Sequence, residues 1–196
     1  MGVQHRVICE DKRWLNVEEN YHYHLKAHGL KKFHDNEHEG YQENRGVIIS
    51  QLPWEHSWDY FVGEEAAKYI RNYDQDQPFA MMVGFPAPTV PMTRVKSYAD
   101  LFEPEEMPDP YVEAPGQPPN FRRSNIQGNP RSWNSVDHSE FTTAHKKKIR
   151  ATMPDQSNRS TTKSATSCLR GKKQGVRTTR QSFSPVTAVI IWATTA

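Results

Sequence analysis

The chain has 196 residues with 35% hydrophobic content, about 40% once its 10 glycines are added, short of the ~45–50% apolar usage of ordinary domains, so only part of it is expected to fold. Mean hydropathy is −0.87, and no apolar run approaches the ~20 residues that cross a bilayer, which excludes a membrane-embedded protein and a membrane partner. The net charge of +2 divides unevenly: residues 151–196 carry seven Lys/Arg against the single acid Asp155, whereas the first 150 residues carry 18 basic against 22 acidic groups.

Met1 to Arg6 is charged and lacks an apolar centre, so no secretory signal is read there. Cys9 and Cys168 are too few for a disulfide framework or a four-cysteine zinc site, and compartment stays open. His22, His24, His28, His34 and His38 then crowd a short stretch. His24 and His28 stand one helical turn apart, a spacing that lets two imidazoles share a metal. No H-E-x-x-H pattern or fixed third ligand accompanies them, so the expectation is a solvated, partly helical surface.

From Ser57 to Asn72 the pattern is helical. Ser57 can cap, Glu64 and Glu65 lie in the first half, Arg71 closes, and Trp58, Val62, Ala66, Tyr69 and Ile70 form one stripe. A turn-like Tyr73 to Pro78 follows. Phe79 to Phe85 is then apolar without alternation, as in a parallel strand covered on both faces. A helix leading by a short loop into a buried strand is half of a βαβ unit, so the fold class is α/β. In such sheets ligands collect beyond the carboxyl ends of strands, here Pro86 to Pro91.

Prolines and glycines recur from Glu103 to Asn134, which predicts a long irregular excursion. Ser139 to Arg150 opens another helix and carries the basic run His145-Lys146-Lys147-Lys148-Ile149-Arg150. Such a run gains nucleic-acid affinity by releasing phosphate counterions. Stacking aromatics are nearly missing from the basic tail, with only Phe183 and Trp192, and the first part is acidic, so no nucleic-acid partner is expected. No G-x-S-x-G elbow, glycine-rich phosphate loop or internal repeat occurs.

Trp54-Glu55-His56-Ser57-Trp58-Asp59 through Met107-Pro108 resembles the sulfatase family, notably its choline-sulfatase and arylsulfatase-like members. The most specific part is Gln77-Pro78-Phe79-Ala80-Met81-Met82-Val83-Gly84-Phe85-Pro86-Ala87-Pro88, followed by Pro91, Tyr98, Leu101-Phe102-Glu103-Pro104 and Met107-Pro108. Cys9 to Arg13 and Leu25 to Gly29 are similar to family sequence as well. The resemblance implies residues 1–152 of an alkaline-phosphatase-like α/β domain. The remaining 153–196 is expected to be a disordered, out-of-frame tail. Shifting each codon by one base lets Arg159 to Ala165 encode I-D-D-E-I-G. Arg177 to Ala196 then admits D-D-T-T-I-V-F-S-S-D-x-G-D-Y-L-G-D-H-G, close to the family's metal-binding loop. Thr187-Ala188 disagrees, permitting only Cys, Arg, Ser or Gly where the family has His or Asn. The frame is therefore read as slipping near Thr152-Met153.

The resemblance implies hydrolysis of small-molecule sulfate esters by a formylglycine made in a C-x-P-S-R-type motif, whose gem-diol attacks sulfur beside calcium or magnesium. Neither Cys9 nor Cys168 lies in that motif, so no catalytic residue and no metal ligand is assigned. The expectation is an inactive internal fragment that binds no metal itself. Thr89 replaces the family's P-H-x-P histidine. It is the one substrate-binding candidate, able to hydrogen-bond sulfate but not to act as a proton donor near neutral pH. Two alternatives stay open: a non-catalytic metal- or nucleic-acid-binding module, and a phosphate or phosphonate monoester hydrolase of the same superfamily.

Overall fold

A computed structural model describes residues 5–10, 14–74, 79–86, 92–96, 99, 101–110, 136, 141–153 and 190–195. The chain divides into two compact units, one built from Met1–His34, Leu52–Thr89 and Gln156–Ala196, the other from Asp35–Gln51 and Val90–Asp155. Both contain helix and strand.

In the first unit β1 (His5–Ile8) precedes α1 (Asn20–Ala27). Tyr21 and Leu25, four residues apart, put one face of α1 into the core. The helix stops at Gly29, whose φ of +69° is left-handed. Gly29 N–H donates to the Lys26 carbonyl at 3.1 Å and Leu30 N–H to the Leu25 carbonyl at 2.9 Å. That pair of bonds is a Schellman close, and Leu30 packs on the same core as Leu25.

The helix expected from Ser57 is α2 (Trp58–Asn72). Ser57 Oγ accepts from Tyr60 N–H at 3.3 Å, satisfying one of the open donors at the helix start. Trp58, Val62, Ala66 and Ile70 of the expected stripe are buried, and Phe61, Gly63 and Ala67 widen it. Trp58, Phe61, Val62 and Ala66 pack against Val7, Cys9, Tyr21 and Leu25, with Met81, Val83 and Phe85 alongside. A buried ion pair completes this unit: Lys32 Nζ lies 2.7 Å from Glu19 Oε1 and also donates to the Val17 carbonyl at 3.1 Å.

The apolar run after α2 contains β3 (Phe79–Met82), but it is not the parallel, doubly covered strand that the pattern predicts. Its partner is β5 (Ile190–Thr195), antiparallel, with Phe79 opposite Thr195 and Met82 opposite Trp192. β5 also pairs antiparallel with β1, giving the order β1-β5-β3. Met82 is 56% exposed, so the strand is not covered on both faces. An unbroken apolar run signals a strand without revealing which chain segment lies beside it. The tail was expected to lack a fold across 153–196; within it Ile190–Thr195 is a strand, and 154–189 lie outside the described residues. Two isoleucines, a tryptophan and two threonines make this stretch a strong strand former whatever its origin.

In the second unit β2 (Val47–Ile49) and β4 (Met92–Arg94) form a parallel pair, Val47 opposite Met92 and Ile49 opposite Arg94. α3 covers residues 143–153. It starts later than the sequence pattern suggests, because Thr142 is the cap: Thr142 Oγ1 accepts from His145 N–H and His145 Nδ1 accepts from Thr142 N–H, each at 3.2 Å. This is a capping box with histidine in the place of glutamate. Tyr41, Ile48 and Val136 form the buried cluster, with Phe141 against it. The described part of the proline-rich excursion holds a single short 3-10 turn, Pro104–Glu106; residues 111–134 lie outside the described residues. Among the described residues no helix is long and apolar enough to cross a membrane.

Candidate functional site

α1 carries His24 in its last turn and His28 at its cap, so the two rings lie on one face, tilted to each other with centres 4.6 Å apart. The turn Trp54–His56, which hands the chain over to the Ser57 cap of α2, supplies a third imidazole. His56 lies 4.6 Å from His28 and 5.3 Å from His24, ring centre to ring centre. His24 Nε2 and His56 Nδ1 are 3.2 Å apart. One ligand nitrogen from each of the three residues falls within 4.8 Å of the others, the one gathering of three or more metal-binding side chains among the described residues.

The cluster sits against the core. Tyr21, 1% exposed, donates from its hydroxyl to the His56 carbonyl at 2.8 Å and so fixes the turn that carries the third imidazole. Burial, aided by Cys9, Asp59 and Glu19, holds the Tyr21 phenol well above its usual range and keeps it a donor. Phe61 lies 5.0 Å from His24 and 5.4 Å from Tyr21, ring to ring, forming an apolar wall. His28 is exposed, and its Nδ1–H donates to the His24 carbonyl at 2.8 Å. Loss of hydration, reinforced by His28 and His56, lowers the His24 pKa from the ordinary histidine value, so His24 stays neutral more readily.

The other histidines of the crowded stretch go elsewhere. His22 packs edge-on against Tyr23, and His34 against Trp14 at 5.3 Å. His38 belongs to the second unit. Sequence reasoning paired His24 with His28 and missed His56, which no spacing rule connects to them. Thr89 lies outside the described residues, as does Cys168. Cys9 is 3% exposed and packs in the core of the first unit.

Most of the basic run is engaged by its own unit. Lys148 Nζ donates to Asn44 Oδ1 at 2.7 Å, and Lys147 pairs with Asp109 at 2.9 Å. Arg150 Nη1 donates to the carbonyls of Pro108 and Asp109 at 2.7 and 2.8 Å. A separate cleft of about 320 Å³ opens beside His5, Glu65, Lys68, Tyr69 and Tyr73.

Calcium and magnesium, implied by the resemblance, take oxygen ligands. The three imidazoles offer only nitrogen, which does not fit those ions. No family model matches the chain, and no curated protein matches it either.

Proposed function

We propose that this chain is a piece of a sulfatase-type enzyme, a sulfuric ester hydrolase whose whole form cleaves small-molecule sulfate esters. The observation that carries this reading is the run Gln77 to Pro88 with the downstream Leu101-Phe102-Glu103-Pro104 and Met107-Pro108. The helix-to-strand order of α2 and β3, with Val83 and Phe85 packed behind them, supports it as a local arrangement. In that setting the Thr89 hydroxyl would hydrogen-bond a sulfate oxygen. It would not protonate a leaving group near neutral pH, because an alcohol holds its proton too tightly.

The 196 residues contain no C-x-P-S-R motif, so this chain does not itself supply the formylglycine nucleophile. The purified chain is expected not to hydrolyse p-nitrophenyl sulfate in the presence of calcium. The deciding experiment is to sequence the coding DNA on both sides. An upstream, in-frame C-x-P-S-R codon run and a one-base shift near Met153 are the expected result. Flanking DNA that encodes neither, in any frame, would overturn the assignment.

A further inference from the structure

The His24, His28 and His56 cluster stands apart from the sulfatase reading and rests on the geometry alone. We propose that these three imidazoles form a site for a transition-metal ion of the zinc class, tying the end of α1 to the turn that opens α2.

Distance supports the assignment first. Zinc–nitrogen bonds of about 2.0–2.1 Å place two ligands of a tetrahedral ion about 3.3–3.4 Å apart. His24 Nε2 and His56 Nδ1 stand 3.2 Å apart, and one ring nitrogen from each of the three residues lies within 4.8 Å of the others, so small side-chain rotations close the set. Tautomer comes next. Because His28 Nδ1 gives its proton to the His24 carbonyl, the His28 lone pair sits on Nε2, away from that bond. A second ring nitrogen bonded to a backbone carbonyl is the usual support for a metal-binding histidine, since it sets ring orientation and raises ligand basicity.

Rigidity is the third support. His24 lies in the last turn of α1 and His28 at its C-cap, one turn apart, and the third is held through its own carbonyl by the buried Tyr21 hydroxyl. Little ordering is therefore left for the ion to bring about. Imidazole donors select zinc, copper and nickel over calcium and magnesium. Three protein nitrogens on a four-coordinate ion leave a fourth position, which the exposure of His28 opens to water.

The test is calorimetric titration of the tag-free full chain with zinc chloride, in parallel with cobalt(II) absorption spectra. One equivalent should bind, unaffected by excess calcium, and cobalt should give the intense visible bands of a four- or five-coordinate site. His28→Ala and His56→Ala should each weaken zinc binding at least about tenfold, while His22→Ala and His34→Ala should leave it within about twofold. His28 is exposed, so its replacement leaves the core intact and decides the matter even if His56→Ala disturbs folding. Unchanged affinity in His28→Ala, equal losses in the control variants, or no saturable binding by the parent chain would each overturn the proposal, leaving a hydrogen-bonded imidazole cluster only.

Discussion

In the first unit α2 lays Trp58, Phe61, Val62 and Ala66 against Val7, Cys9, Tyr21 and Leu25, whereas the second unit gathers Tyr41, Ile48 and Val136, with Phe141 beside them. The second unit has the smaller apolar cluster and polar anchors that join segments far apart in the chain. Lys148 reaches Asn44, Arg150 reaches the carbonyls of Pro108 and Asp109, and Arg94 donates to the Phe102 carbonyl at 3.1 Å. A neutral hydrogen bond contributes about 0.5–1.5 kcal/mol net and one to a charged group about 1.5–3, whereas a buried aromatic truncation costs about 3–5. Truncating the apolar core of the first unit should therefore cost more than removing any one of these hydrogen bonds in the second.

Truncation in the larger core is the strongest way to sharpen this contrast. Phe61→Ala should destabilise the first unit by about 3–5 kcal/mol, read as a lowered urea midpoint. Close behind is the buried pair of Lys32 and Glu19, whose side chains are 0% and 3% exposed. Lys32→Met strands a buried carboxylate and should cost about 3–5 kcal/mol, while Lys32→Met with Glu19→Gln should recover much of that. A double variant no better than the single one would break the explanation.

In the second unit the expected losses are smaller and come from the backbone. Gly46 has a φ of +82°, and an added Cβ would sit 3.2 Å from Val136 Cγ2. Gly46→Ala should cost about 1–2 kcal/mol through left-handed strain, with crowding of Val136 in addition. Back in the first unit, Ser57→Ala removes the cap of α2 and should cost about 1 kcal/mol.

The smallest effect is a pH dependence. Burial lowers the His38 pKa, against the opposite pull of Asp35 and Glu37. The folded state then binds that proton less readily than the unfolded chain, so stability is full above the ordinary histidine pKa of about 6.5 and falls as pH drops below it. His38→Gln should flatten that decline in denaturation midpoints measured from pH 7.5 to 5.5.

How legible each region was follows from the range of the forces that build it. α2 could be read because its stripe and closing Arg71 lie within the helix and its cap, Ser57, directly precedes it. Phe61 joins the buried face where Val7 of β1 and Tyr21 and Leu25 of α1 arrive from far along the chain. The pairing of β3 was not readable, since Phe79-Ala80-Met81-Met82 carries no information about β5. Nothing in the sequence around Lys32 marks it as buried; its partner Glu19 lies thirteen residues earlier. The candidate site shows the same division: His24 and His28 share a helix and were visible as a pair, while His56 joins them through the Tyr21 hydroxyl and the turn before Ser57.

Residue-resolved hydrogen exchange, with and without one equivalent of zinc, tests the metal cross-link and the contrast between the units together. Amide protection should rise along Asn20–Ala27 and in the first turns of Trp58–Asn72, and stay unchanged in residues 143–153. Unaltered protection in α1, or an equal rise in both units, would contradict a metal held by His24, His28 and His56.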